Sequence, residues 1–102
     1  MIIYNITVNI DHEVHDEWFD WMKDAHIPDV MKTGHFEDAR FSKVLAEDDG
    51  GVTYSIQYLA KTKEDLDRYL EMHAPRLRDD HNKKFGGKFA AFRTLLELKH
   101  KF

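Results

Sequence analysis

The chain of 102 residues has no cysteine, only two prolines and only five glycines. Without cysteine there is no disulfide framework, no thiolate metal centre and no cysteine nucleophile. With so little proline and glycine, no linker divides the chain and nothing in it is low in complexity, so one domain over residues 1–102 is expected. No run approaches the ~18 apolar residues of a membrane helix, and no membrane partner is expected. The first ten residues carry no basic region and no small-residue cleavage site, so they do not read as a signal peptide; the expected compartment is the cytoplasm. An excess of positive charge is also missing. Lys and Arg number 15 against 19 Asp and Glu, a net charge of -4, which argues against a broad nucleic-acid-binding surface.

What the chain does have is a globular balance, 42% hydrophobic and 33% charged residues, and clear periodicity. Ile2, Tyr4, Ile6, Val8 and Ile10 fall on one parity and Asn5, Thr7 and Asn9 on the other, the pattern of a half-buried strand. Asp11 offers an N-cap. Val14, Trp18, Trp21, Met22 and Ala25 form a helical stripe. Pro28 should stop that helix and start a short piece over 28–32, with Gly34 as its end. A second strand lies within 36–46, a turn at Glu47-Asp48-Asp49-Gly50-Gly51, and a third strand around Val52, Tyr54, Ile56, Tyr58 and Ala60, the two strands forming a hairpin. Thr62 caps another helix, with Asp65 three residues on. Leu66, Tyr69, Leu70, His73 and Leu77 make its stripe, disturbed by Pro75 near the end. A last strand spans 89–98.

The order β-α-β-β-α-β, with right-handed crossovers, gives a ferredoxin-like plait of class α+β: a four-stranded antiparallel sheet with both main helices on one face. The parallel placement of His26-Ile27-Pro28 and His73-Ala74-Pro75 hints at duplication. The last strand is apolar on both parities, with Phe89, Ala91 and Leu95 on one and Phe92, Leu96 and Leu98 on the other, so it should be buried on both sides. In so short a chain a second copy is the expected cover, and we expect a homodimer packed sheet against sheet.

Seven histidines are available for chemistry. His12-Glu13-Val14-His15 is not a zinc HExxH motif, because Asp16 stands where the second histidine belongs, and no metal site is expected. His26 and His73 each precede a helix break, where backbone groups are free and clefts form; both are candidates for general acid-base work. A cleft between helices and sheet lined by Tyr4, Asn5, Trp18, Trp21, Tyr58 and Tyr69 would hold a flat apolar molecule. Arg93, mid-strand, needs an acidic partner such as Glu97 or an anionic ligand. No nucleophile elbow surrounds Ser42 or Ser55, and neither Gly pair forms a phosphate loop.

The residues Ile2-Ile3-Tyr4-Asn5-x-Thr7, His26-Ile27-Pro28, Thr53-Tyr54-Ser55-x-Gln57-Tyr58, Ala74-Pro75-Arg76-Leu77, Phe85-Gly86 and Ala91-Phe92-Arg93-Thr94 together resemble a family of short bacterial proteins, frequent among Bacteroidetes, known only as a domain of unknown function. More distantly the layout resembles the dimeric α/β-barrel superfamily, which includes antibiotic-biosynthesis-type monooxygenases, haem-degrading monooxygenases, muconolactone-type isomerases and ligand-sensing domains. In haem-degrading members an Asn, a Trp and a helix His act together. Asn5 or Asn9 and His73 match two of these, but the third strand offers Tyr54 and Tyr58 and no Trp, so no cofactor is expected. The aromatic-lined cleft expected beside His26 and His73 points to a small-molecule-binding homodimer, at most a cofactor-free monooxygenase or isomerase. The alternatives are a non-enzymatic structural or regulatory interaction dimer and, on βαββαβ order alone, an RNA-binding domain. Val52, where an RNA-binding strand would carry an aromatic residue, and the acidic charge speak against the last.

Overall fold

Alternating side chains produce the first element, β1 (Ile2–Ile10), whose residues Tyr4, Val8 and Ile10 are buried while Asn5, Thr7 and Asn9 are half-buried. The computed structural model describes residues 1–46 and 50–102. Of the expected turn, Glu47, Asp48 and Asp49 therefore lie outside the described residues. β2 (Asp38–Lys43) and β3 (Val52–Ala60) pair antiparallel, as the hairpin pattern requires. β4 (Phe89–Glu97) and β3 flank β1 on either side, and the sheet order is β2-β3-β1-β4 with all pairs antiparallel. This is the ferredoxin-like α+β arrangement.

Parity then decides what each face carries. Tyr4 stands opposite Tyr58 and Leu95, Ile6 opposite Ile56 and Arg93, and Val8 opposite Tyr54 and Ala91, so these residues share the inner face. On the outer face polar side chains satisfy one another: the Ser55 hydroxyl donates to Asn5 Oδ1 at 2.6 Å, and Asn9 Nδ2 donates to Thr53 Oγ1 at 3.0 Å.

The helical layer departs from expectation in three places. Asp11 makes no side-chain cap; its backbone N–H bonds instead to the Lys88 carbonyl, tying the strand exit to the start of β4. The first helix does not stop before Pro28. A 3-10 turn (His12–Val14), α1 (His15–Trp21), a π turn (Met22–His26) and α2 (Ile27–Lys32) run on without a break. A proline ring clashes with the carbonyl four residues back and leaves it without a donor; the wider π turn shifts the carbonyls out of that register, so Pro28 fits in the first turn of α2. Gly34 then ends the helix at φ +82. The second helix splits at His73 into α3 (Lys63–Met72) and α4 (Ala74–Phe85), and Pro75, in the first turn of α4, starts a full helix rather than ending one. Thr62 does cap α3, accepting from the Asp65 N–H at 3.1 Å.

All helices lie over the inner face. The core there runs from Trp18 and Val30 through Ile56 and Tyr58 to Leu66, Leu77 and Phe85. β4 is an edge strand reached by little of this layer. In the single chain it is therefore not buried on both sides: Phe92 is 62%, Leu95 50% and Leu96 42% exposed. Among the described residues no helix is long and apolar enough to cross a membrane.

Candidate functional site

The π turn also explains which side chains meet. Trp18, Met22, His26 and Val30 recur every four residues, a spacing that drifts by about 40° per step around a regular α-helix. One extra residue in the π turn takes back most of that drift, so all four stay on the face toward the sheet. Trp18, Met22 and Val30 are at most 3% exposed. α4 presents Leu77, His81 and Phe85 at the same spacing, all buried. Between these two helical faces and the inner face of the sheet is a cavity of about 230 Å³. Its apolar wall comes from Met22, Val30, Ile56, Leu77, Phe89 and Ala91; Tyr58 and Tyr69 line it as well.

Two histidines meet in that wall. The His26 ring stacks on Trp21, centroids 4.9 Å apart, and faces His81 edge-on at 5.8 Å. Trp18 Nε1 donates to His81 Nε2 at 2.9 Å. An indole N–H can only donate, so His81 Nε2 must carry a lone pair, and the neutral ring keeps its hydrogen on Nδ1. Burial lowers the His26 pKa from 6.5 to about 4, against the pull of Asp29 and Asp80. Burial also lowers His81 to about 4, helped by neighbouring His26 and Arg93. Both rings are thus neutral across the physiological range. Trp18 accounts for one ring nitrogen of His81, while those of His26 have no hydrogen-bond partner among the described residues.

The exposed rim of the cavity has different chemistry. Arg78 from α4 and Arg93 from β4 both reach the hydroxyl of Tyr4 on β1, at 2.9 Å from Arg78 and 3.0 Å from Arg93 Nε. Both arginines and Asn82 line the cavity. Burial raises the Tyr69 pKa, with Tyr4 adding to the effect and the arginines opposing it. Among the described residues no cluster of three or more His, Asp or Glu is arranged to hold a metal ion.

A sequence profile of a domain of unknown function, DUF4286, matches residues 1–99. The chain belongs to this family. No functionally curated protein matches it. Solved structures share the DUF4286 chain's fold at low identity. An EthD family protein from Bacillus halodurans is 14% identical over 97% of this chain and 100% of its own, with a TM-score of 0.72. A dimeric ferredoxin-like protein from an uncultured marine organism is 15% identical over 100% and 98%, with a TM-score of 0.71. A Streptomyces coelicolor monooxygenase, solved with the ligand nanaomycin D, is 9% identical over 99% and 89%, with a TM-score of 0.62. The family resemblance and the ferredoxin-like fold read from the sequence are both borne out.

In the DUF4286 chain the expected site residues divide. His26, Tyr4, Tyr58, Tyr69 and Arg93 line the cavity. Trp18 and Trp21 do not line it; Trp18 is hydrogen-bonded to His81 and Trp21 is stacked on His26. Asn5 has the opposite strand parity from Tyr4 and lies on the outer face, bonded to Ser55 and Thr7. His73 sits at the α3–α4 junction, its ring 5.3 Å from His35, and does not line the cavity. Of the early His pair, His15 bridges the Tyr54 hydroxyl and Asp16 at 2.7 and 2.8 Å. Sequence reasoning did not single out His81. The signal was present: Leu77, His81 and Phe85 continue one stripe at i, i+4 and i+8 past Pro75.

Proposed function

We propose that the protein binds a small aromatic or apolar molecule in the cavity between helices and sheet. The observation that carries this reading is a cavity of about 230 Å³ whose lining combines apolar side chains with two neutral histidines in different hydrogen-bonding states. Ligand sites combine an apolar wall with a few convergent polar groups and perturbed pKa values. The volume lies below the roughly 300–1,000 Å³ typical of drug-sized ligands, which suits a one- or two-ring molecule. At most, the chemistry is that of a cofactor-free monooxygenase or an isomerase, the former with dioxygen as co-substrate. Both begin by removing a proton from an acidic carbon or hydroxyl of the substrate. His26, neutral and without a hydrogen-bond partner, is the acceptor. His81, with its hydrogen fixed on Nδ1, is the donor of the pair. The structural likeness to a monooxygenase solved with a bound ligand supports this reading as an analogy of fold only.

Thermal unfolding against a panel of aromatic and quinone-like compounds tests it. A ligand at ten times its Kd stabilises by about 1.4 kcal/mol, a shift of about 5 °C or more for a chain of this size. Ala91→Phe puts a ring into the cavity and should abolish the shift while the protein stays folded. No shift with any compound rejects the proposal.

We further propose that the working unit is a homodimer meeting through the outer faces of the sheets. Exposed Phe92 and Leu96, on the outer parity of β4 opposite Thr7 and Ile3, support this, as does the fold likeness to a dimeric ferredoxin-like protein.

A further inference from the structure

Arg78 and Arg93 are an unusual pair. They come from different elements, α4 and β4, and their guanidinium groups converge on one neutral oxygen, the Tyr4 hydroxyl. Neither has an acidic partner among the described residues. Neighbouring cations on α4 are paired: Arg76 with Asp80 at 3.6 Å and Lys83 with Asp79 at 2.9 Å. The acid expected for Arg93, Glu97, bonds instead to Lys99 at 2.7 Å. Two like charges drawn to one uncharged acceptor repel each other, and the contact uses one donor from each five-donor fork. The remaining donors lie at the rim of a cavity with one apolar wall, which includes Met22, Val30, Ile56 and Ala91. The Tyr4 oxygen, accepting from both forks, still has its own hydrogen to donate.

Resting on the binding reading above, we propose that the cavity takes a small ring-bearing carboxylate, its ring between Met22, Val30, Ile56 and Ala91 and its carboxylate between Arg78 and Arg93, with the Tyr4 hydroxyl as a third donor. A carboxylate supplies the missing counter-charge, and its planar pair of oxygens matches the guanidinium fork. A single negative charge suits the rim better than a double one, because the Asp80 carboxylate, although paired with Arg76, still acts on His26 in the cavity wall. The cavity volume limits the body to one or two rings.

Isothermal titration with 2-naphthoate, 2-naphthamide and naphthyl phosphate tests the proposal on the intact protein. The carboxylate should bind at least tenfold more tightly than the amide and more tightly than the phosphate, and should weaken with added salt. Arg78→Gln and Arg93→Gln should each lower carboxylate affinity by about tenfold or more while leaving amide affinity within about twofold; Arg93→Lys should restore part of the loss. Both arginines are exposed, and unchanged unfolding temperatures without ligand confirm that the variants fold. Equal binding of amide and carboxylate, or carboxylate binding indifferent to both Gln variants, overturns the anion proposal and leaves the cavity reading standing. Preference for the phosphate overturns the carboxylate assignment. Absence of binding by all three at millimolar concentration overturns both proposals together.

Discussion

The two histidines in the cavity wall should make the protein acid-sensitive within a definite window. Both rings are held neutral in the fold down to about pH 4, mainly by burial. In the unfolded chain each takes a proton below about pH 6.5. Between those values the unfolded state binds more protons, so stability is full above about pH 7 and falls as the pH drops through the window. A shift from 6.5 to about 4 sets an upper bound of about 3 kcal/mol for each ring. Contact between cavity and solvent screens part of this, and about 2 kcal/mol per ring is a fair expectation. Together that is a large share of the roughly 5–15 kcal/mol that holds a folded domain. Urea unfolding followed by tryptophan fluorescence at pH 7.5, 6.5, 5.5 and 4.5 gives the slope. Carboxylate titration is common to wild type and variants, so the difference isolates the histidines. The double variant His26→Gln with His81→Gln should flatten the curve by about 3–4 kcal/mol between pH 7.5 and 4.5; Gln retains an oxygen able to accept from Trp18. Equal slopes in wild type and variant, or NMR titration midpoints near 6.5 for these two rings, would refute the reasoning.

Two other outcomes follow from particular contacts. Trp18→Phe removes the donor to His81 Nε2; the His81 pKa should rise from about 4, its fixed tautomer should become a mixture in nitrogen chemical shifts, and stability should drop by about 1–3 kcal/mol. Phe92→Lys places a charge at the centre of the expected contact between copies, and sedimentation at micromolar protein should show a dimer becoming a monomer. A wild type that already sediments as a monomer would remove the basis for that contact.

The fold was legible because its signals are local and repeated. β1 and β3 alternate over nine residues each, and the alternation alone puts Tyr4 and Tyr58 on the helix side. The Thr62 cap was readable from a hydroxyl three residues before Asp65. The helix ends were harder, since a proline reads as a stop. At Pro28 a π turn absorbs the ring and the helix runs on; at Pro75 the proline opens α4. Neither outcome is set by the proline itself. Both depend on what the surrounding face must bury.

That dependence is also why the site was only half legible. Its strand contributions follow from parity, which puts Tyr4, Tyr58 and Arg93 on the helix side and Asn5 outside; residue type alone, which groups Asn5 with the tyrosines, does not make that separation. The helical contributions need the register beyond each proline. His73 looked buried because the stripe was followed in α3's register, and α3 ends one residue before it. In the register of α4 the inward positions are Leu77, His81 and Phe85, and the histidine that meets Trp18 is eight residues further on. Pairing across 63 residues, as between Trp18 and His81, leaves no periodic trace in either segment. Yet the chemistry of that pair is decided by it: an indole that can only donate makes one imidazole nitrogen an acceptor, and the same bond holds back the proton that would otherwise occupy it.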